Sequence, residues 1–86
     1  PANSGELKYG LEVGLYAAKS DAQAIAARVD GTVFSVADAS GKTWWVTVVG
    51  PYSSAKKARE HSGIVAARLN VPAQSMSVTK WPQTTQ

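Results

Sequence analysis

Two adjacent tryptophans are the side chains of this sequence best suited to binding chemistry. Trp44 and Trp45 lie in the stretch TWWVTVVGPY, residues 43–52. The face of an indole ring can stack on the C–H face of a sugar or on a nucleobase. Neighbouring side chains of a β-strand point to opposite faces of the sheet, so only one of the two tryptophans can enter the core. The other faces solvent and is available to a ligand.

Side chains suited to catalysis are sparse. The chain has one histidine, His61, and no cysteine. The surrounding pattern places His61 beside Glu60 on the solvated side of a helix, where it has no nucleophile to activate. The sequence contains neither a glycine-rich phosphate loop nor clustered metal ligands. We therefore predict a binding module and not an enzyme, with no catalytic residue, metal site or cofactor.

Length and charge restrict the possibilities further. A chain of 86 residues makes one domain with one modest core. Nine Lys and Arg against six Asp and Glu give a net charge of +3 without any run of like charge, which permits an anionic partner without requiring one. We expect a linker at 1–7, the domain at 8–81 and a tail at 82–86. The sequence has no apolar run of membrane-spanning length, so we expect any membrane attachment to come from a larger parent protein.

An internal repeat organises the chain. VGLYAAKSDAQAIAARV, residues 13–29, aligns with VGPYSSAKKAREHSGIVAARL, residues 49–69. Each copy follows a β-rich run and passes from a glycine into an alanine-rich segment with helical spacing. Residues 32–37 and 75–81 then have the composition of closing strands, and residues 39–41 that of a turn. The order βαββαβ predicts an α+β, ferredoxin-like fold: a four-stranded antiparallel sheet, first and third strands central, with two helices on one face.

The ends of the helices and the core can also be predicted. Ser20 followed by Gln23 fits a capping box for the first helix, and Asp30-Gly31 fits its end. Ser53 or Ser54 can cap the second helix. The predicted strand residues of the core are Leu11, Val13, Phe34, Val36, Val49, Met76 and Val78.

The repeat also predicts which tryptophan faces solvent. In the repeat alignment Trp45 is equivalent to Tyr9. Tyr9 is in phase with the inward-facing Leu11, so Trp45 faces the core and Trp44 faces solvent. A bulge at either glycine would exchange the two tryptophans. Gly10 would then leave a shallow floor beside the indole, with a polar margin from the last strand. The residues predicted to line this open face are Lys8, Gly10, Glu12, Trp44, Val46, Val48, Ser77, Thr79 and Trp81.

The two half-motifs resemble those of the SPOR domain family. They read YGLEVGLY, residues 9–16, and WVTVVGPY, residues 45–52, and the resemblance extends over about residues 8–81. The resemblance implies the same fold and the binding of bacterial peptidoglycan, in particular of glycan strands stripped of their stem peptides. Related modules belong to envelope proteins, so the resemblance implies a periplasmic or cell-envelope location at the division septum, to which the module targets its parent protein.

The family's groove positions fall on Glu12, Leu15, Trp44 and Val46, with the last strand alongside. Two of these depart from the family pattern. Glu12 replaces a common glutamine, and Val46 stands where a basic or polar residue is frequent. A carboxylate at position 12 would repel the lactyl group of a muramic acid unless Lys8 or a water lies between them.

Two other functions remain open. An RRM-like module would bind single-stranded nucleic acid through the same two central strands, although Glu12 at their centre disfavours phosphate contacts and we expect no nucleic-acid partner. A ferredoxin-like dimerisation or regulatory domain would bury Trp44 against a second copy. We expect a monomer, which sedimentation or light scattering would test.

Overall fold

The fold is known from a computed structural model, which describes residues 8–81. The strands are β1 (Tyr9–Tyr16), β2 (Thr32–Ala37), β3 (Thr43–Tyr52) and β4 (Ser77–Lys80). The helices are α1 (Lys19–Val29) and α2 (Ala55–Leu69), and a short 3-10 helix covers Ala73–Ser75. The predicted order βαββαβ is confirmed. The predicted linker and tail lie outside the described residues.

The four strands form one antiparallel sheet in the order β2-β3-β1-β4. The first and third strands are central, as predicted. Both helices contact the sheet, and the buried cluster lies between them and the central strands. Its members are Leu11, Val29, Val49, Ala58 and Val65. No helix within residues 8–81 is long and apolar enough to cross a membrane.

The two halves of the repeat end their helices in the same way. Asp30 after α1 and Asn70 after α2 both adopt the left-handed conformation, with φ of 60° and 58°. Their backbone N–H groups donate to helix carbonyls one turn earlier, which satisfies acceptors at the helix end. An acidic or amide residue tolerates this conformation better than most. The predicted stop at Asp30 is therefore confirmed.

The helix starts differ. Ser54 caps α2, and its hydroxyl accepts from the backbone N–H of Lys57 at 3.1 Å. The capping box predicted at Ser20 is wrong, because α1 begins one residue before that serine and its N-cap is Ala18, without a side-chain cap. Ala18 is the repeat equivalent of Ser54. The first helix thus lacks the cap that the second helix has.

Two residues predicted for the core lie on the face of the sheet away from the helices. Phe34 pairs with Val46 and Val36 with Trp44, and directly paired residues share a face. The core side of β2 instead carries Val33, opposite the buried Thr47. Val36 is 44% exposed on the other face. The prediction for these two residues was wrong because TVFSVA carries apolar residues in both phases of its alternation.

Candidate functional site

The face of the sheet opposite the helices is called the open face. A buried hydrogen bond on the helix side shows which residues of β3 lie on each face. Thr47 is fully buried, and its hydroxyl donates to the carbonyl of Ala22 in α1 at 2.8 Å. Thr47 therefore points towards the helices. Trp45 is two residues away on the same strand and shares that side, while Trp44 lies on the open face. The Lys19 ammonium, at the start of α1, lies 5.2 Å from the Trp45 ring centroid.

A bulge in β1 places a large apolar side chain on the open face. The register with β3 shifts between Glu12 and Gly14, so that Val13 is the extra residue. After this bulge Leu15 pairs with Val46 and lies on the open face, where it is 50% exposed. Before the bulge Leu11 is buried in the core. Without the extra residue, Leu15 would share the face of Leu11.

Trp44 is held in place by the turn between β2 and β3. Its Nε1–H donates to a carboxylate oxygen of Asp38 at 2.9 Å. The Lys42 ammonium lies 4.2 Å from the ring centroid, a cation–π distance. The indole is half-buried and shares its surroundings with Val36, its partner on β2. The turn therefore fixes the orientation of the ring and places a cation over one of its faces.

Asp38 organises this turn through its carboxylate. One oxygen accepts from the Ser40 hydroxyl at 2.6 Å and from the backbone N–H groups of Ser40 and Lys42 at 2.9 and 3.0 Å. These bonds, with that of Trp44 to the second oxygen, favour the charged form. The pKa of Asp38 is lowered from 3.8 to about 2, the Ser40 hydroxyl contributing most and the Trp44 indole next. The turn keeps this carboxylate ionised at any physiological pH.

The opposite end of the open face is covered by Trp81. A Cβ built on Gly10 would lie 2.9 Å from Cε3 of this indole and 2.5 Å from a methyl group of Val48. The ring also meets Phe34 edge to face, with centroids 5.5 Å apart. Gly10 is buried, so the shallow open floor predicted there is wrong. The missing side chain makes room for the Trp81 indole, which reaches across the two central strands.

Between the two indoles the face has an apolar floor. Val46 is 5% and Val48 1% exposed, although both are on the side away from the helices. Their burial comes from the side chains around them on the same face. Val46 can therefore support a ligand from below but offers little surface of its own. The exposed apolar groups of the open face are Leu15 and Val36, beside Trp44.

The polar margin predicted for this face lies along β4. Ser77 pairs with Glu12 and Thr79 pairs with Gly10, so the two hydroxyl-bearing residues share the open face with their partners. Glu12 also pairs with Val48 on its other side. Lys8 precedes β1 and is exposed, and its carbonyl accepts from the backbone N–H of Trp81 at 2.8 Å. The residues predicted to line the open face, and the groove residue Leu15, thus lie on the open face or at its border.

Sequence reasoning missed several residues that shape this face. Asp38 and Lys42 hold Trp44, and Phe34 supports Trp81. The signal for the first pair was in the sequence, since an aspartate two residues before a serine favours an Asx turn and Gly41 has the positive φ of 88° that such a hairpin needs. The packing of Phe34 depends on a residue 47 positions later in the sequence, which no local pattern reveals.

His61 lies away from the open face. Its ring contacts Tyr52 with centroids 5.4 Å apart, and partial burial raises the pKa of the Tyr52 phenol. Tyr52 packs against the core cluster on the helix side of the sheet. Within residues 8–81, no three His, Asp or Glu side chains come close enough together to hold a metal ion.

A ferredoxin-like sheet with aromatic and apolar groups across its open face has the architecture of a binding module. The model of the SPOR domain family matches residues 7–69, and the chain belongs to this family. SPOR domains are peptidoglycan-binding modules of cell-division proteins and are associated with the cell envelope; the family is a binding family and not a catalytic one. No curated protein and no solved structure matches the chain significantly.

Proposed function

We propose that this domain binds glycan strands stripped of their stem peptides through its open face, as a non-catalytic module of a bacterial envelope protein. In this proposal it directs its parent protein to the division septum, in the periplasm or cell envelope. The observation that carries the proposal is Trp44, an indole fixed on the open face by Asp38 beside the exposed Leu15 and Val36. An aromatic ring held in one orientation binds with little loss of side-chain entropy.

The chemistry fits a sugar chain. One pyranose ring lies with its C–H face on the Trp44 indole, and the floor at Val46 supports the next unit. Hydroxyl groups of the sugar exchange hydrogen bonds with Ser77 and Thr79 along β4. Such contacts are individually weak, and a long strand strengthens them by offering many equivalent registers.

A single copy carries the whole open face, so we expect a monomer to be the binding unit.

The charges of the open face favour a glycan over a nucleic acid. A nucleic-acid module needs cations along the central strands, whereas Glu12 lies there between Val48 and Ser77. We therefore propose no nucleic-acid partner.

Co-sedimentation with purified peptidoglycan tests the proposal. The protein is mixed with peptidoglycan before and after an amidase has removed the stem peptides. We expect enrichment on the stripped material and its loss in Trp44→Ala. The matched control is Trp45→Ala, which removes the same ring from the other face and should retain binding at a temperature where it remains folded. Equal sedimentation of the wild type with and without stripping would refute the recognition of bare glycan.

A further inference from the structure

The group that distinguishes a stripped strand from a peptide-bearing one is a carboxylate. In intact peptidoglycan the lactyl carbonyl of muramic acid is part of a neutral amide with the stem peptide. Amidase hydrolysis of that amide leaves a lactyl carboxylate on the sugar. The lactyl position of each muramic acid, which is neutral in the intact strand, therefore carries a negative charge in the stripped strand.

The described part of the open face has a cation next to its stacking ring. The Lys42 ammonium lies 4.2 Å from the Trp44 ring centroid. A sugar that stacks on or beside this indole brings its ring substituents within reach of the same ammonium. We infer that Lys42 is a specificity-determining residue that recognises the lactyl carboxylate of the stripped strand. This inference rests on the proposed function, whose glycan ligand it specifies further.

The Asp38 carboxylate lies in the same turn, but its hydrogen bonds are made to groups other than the Lys42 ammonium. Both oxygens of Asp38 accept hydrogen bonds, from Ser40, from the Lys42 backbone and from the Trp44 indole. The recorded contact of the Lys42 ammonium is the aromatic ring. An ammonium on a ring keeps its donors available, since the ring face attracts charge without using directional hydrogen bonds.

A second acidic residue, Glu12, lies on the open face at a different level of the sheet from Asp38 and Trp44. Glu12 pairs with Val48, four residues along β3 from Trp44, which corresponds to about 13 Å at the rise of an extended strand. That distance exceeds the screening length of about 8 Å at physiological ionic strength. The lactyl carboxylate is therefore attracted to the hairpin end of the face at Lys42 and repelled from its middle at Glu12. The charges give the bound strand a preferred register.

Lys42→Gln tests this inference by removing the charge while keeping a long polar side chain. The matched control is Lys19→Gln, because Lys19 lies 5.2 Å from the Trp45 ring centroid and makes the equivalent contact on the other side of the sheet. Each protein is titrated with amidase-stripped strands and with the same strands after conversion of their carboxylates to primary amides. Circular dichroism of both variants verifies the fold.

We expect Lys42→Gln to weaken binding of the stripped strands by about three- to tenfold, the range of one exposed or partly desolvated ion pair. Lys19→Gln should bind as the wild type does. The amidated strands should bind the wild type as weakly as stripped strands bind Lys42→Gln, with little further loss in the variant. Added salt should weaken the wild type more than Lys42→Gln.

The outcomes separate the two proposals. If the wild type binds neither stripped nor amidated strands, the proposed function fails and the inference fails with it. If the wild type binds stripped strands and Lys42→Gln binds them equally well, glycan recognition stands and the role of Lys42 is refuted. Equal binding of stripped and amidated strands by the wild type would also overturn the inference, because recognition would then be independent of the carboxylate.

Discussion

Gly10 tests the arrangement of the open face most directly, because its missing side chain is what admits the Trp81 indole. An alanine at this position would place its Cβ 2.9 Å from Cε3 of Trp81, 2.5 Å from Val48 and 3.1 Å from the carbonyl of Val49. All three distances are shorter than an ordinary contact of 3.4 Å. The carbonyl belongs to the sheet and cannot move far, so the indole and the valine must shift.

The size of the effect follows from two opposing contributions. Overpacking of a buried site costs typically about 1–3 kcal/mol, and with three short contacts we take about 2–3 kcal/mol for Gly10→Ala. Replacing glycine restricts the unfolded chain and contributes about 0.4–1 kcal/mol in the stabilising direction. The net loss is about 1–2.6 kcal/mol. For a domain of this size, such a loss lowers the melting temperature by roughly 4–20 °C.

Thermal unfolding followed by circular dichroism measures this change, with Gly63→Ala as the control. Gly63 lies inside α2, and nothing lies within 4 Å of a Cβ built there. The same substitution at Gly63 should therefore raise the free energy of unfolding by about 0.4–1 kcal/mol. The indole resonance of Trp81 should shift in Gly10→Ala and not in the control. Similar melting temperatures for Gly10→Ala and the wild type, with an unchanged Trp81 resonance, would show that the indole does not lie over Gly10.

Three further predictions concern single contacts. Thr47→Val removes the buried hydroxyl that donates to α1 at nearly constant volume, and should cost about 0.5–1.5 kcal/mol in urea unfolding; no loss would mean that the bond does not stabilise the fold. The Asp38 carboxylate titrates below its ordinary value, so its contribution to stability is present above pH 3.8 and is lost as the pH falls through about 2; the Trp44 indole N–H resonance should titrate with that midpoint, and a midpoint near 3.8 would contradict the hydrogen bond. Glu12→Gln should tighten binding to stripped strands, since it removes a repelling carboxylate; unchanged affinity in the same titration would place Glu12 outside the bound strand.

The repeat was the strongest source of correct prediction. It gave the order of the elements, the central position of the first and third strands, and the face of Trp44. It also contained the correct start of α1, because residue 18 aligns with the capping Ser54. The prediction relied on the capping motif at Ser20 and not on that alignment, and the motif was misleading. Equivalence between repeats is set by the whole fold, whereas a capping motif of two residues occurs often by chance.

The phase of β2 could not be predicted from its own sequence. Val33 and Phe34 are both apolar, so alternation alone does not decide which of them faces the helices. The hairpin decides it, because the turn at Asp38 and Gly41 sets the pairing of β2 with β3. The larger residue is then covered on the open face by Trp81. A long-range contact of this kind replaces the helix packing that the sequence had indicated.

The candidate site was predicted as a set of residues but not as a shape. The sequence placed Trp44, Glu12 and the β4 hydroxyls on one face, and they do lie there. It did not show that one end of the face is closed by a second indole while the other carries a cation. Both features depend on side chains whose direction is set after the strands have paired.

The match to the family ends at residue 69, and the folding unit does not. β4 follows that point and pairs with β1 from Tyr9 to Glu12. A fragment cut at residue 69 would leave this central strand with a bare edge of unpaired amides and carbonyls, open to pairing with other chains. It would also lose Met76 and Val78 from the core. Such a fragment should aggregate, so the sequence signature of the family is shorter than the smallest piece of this chain that can be handled in solution.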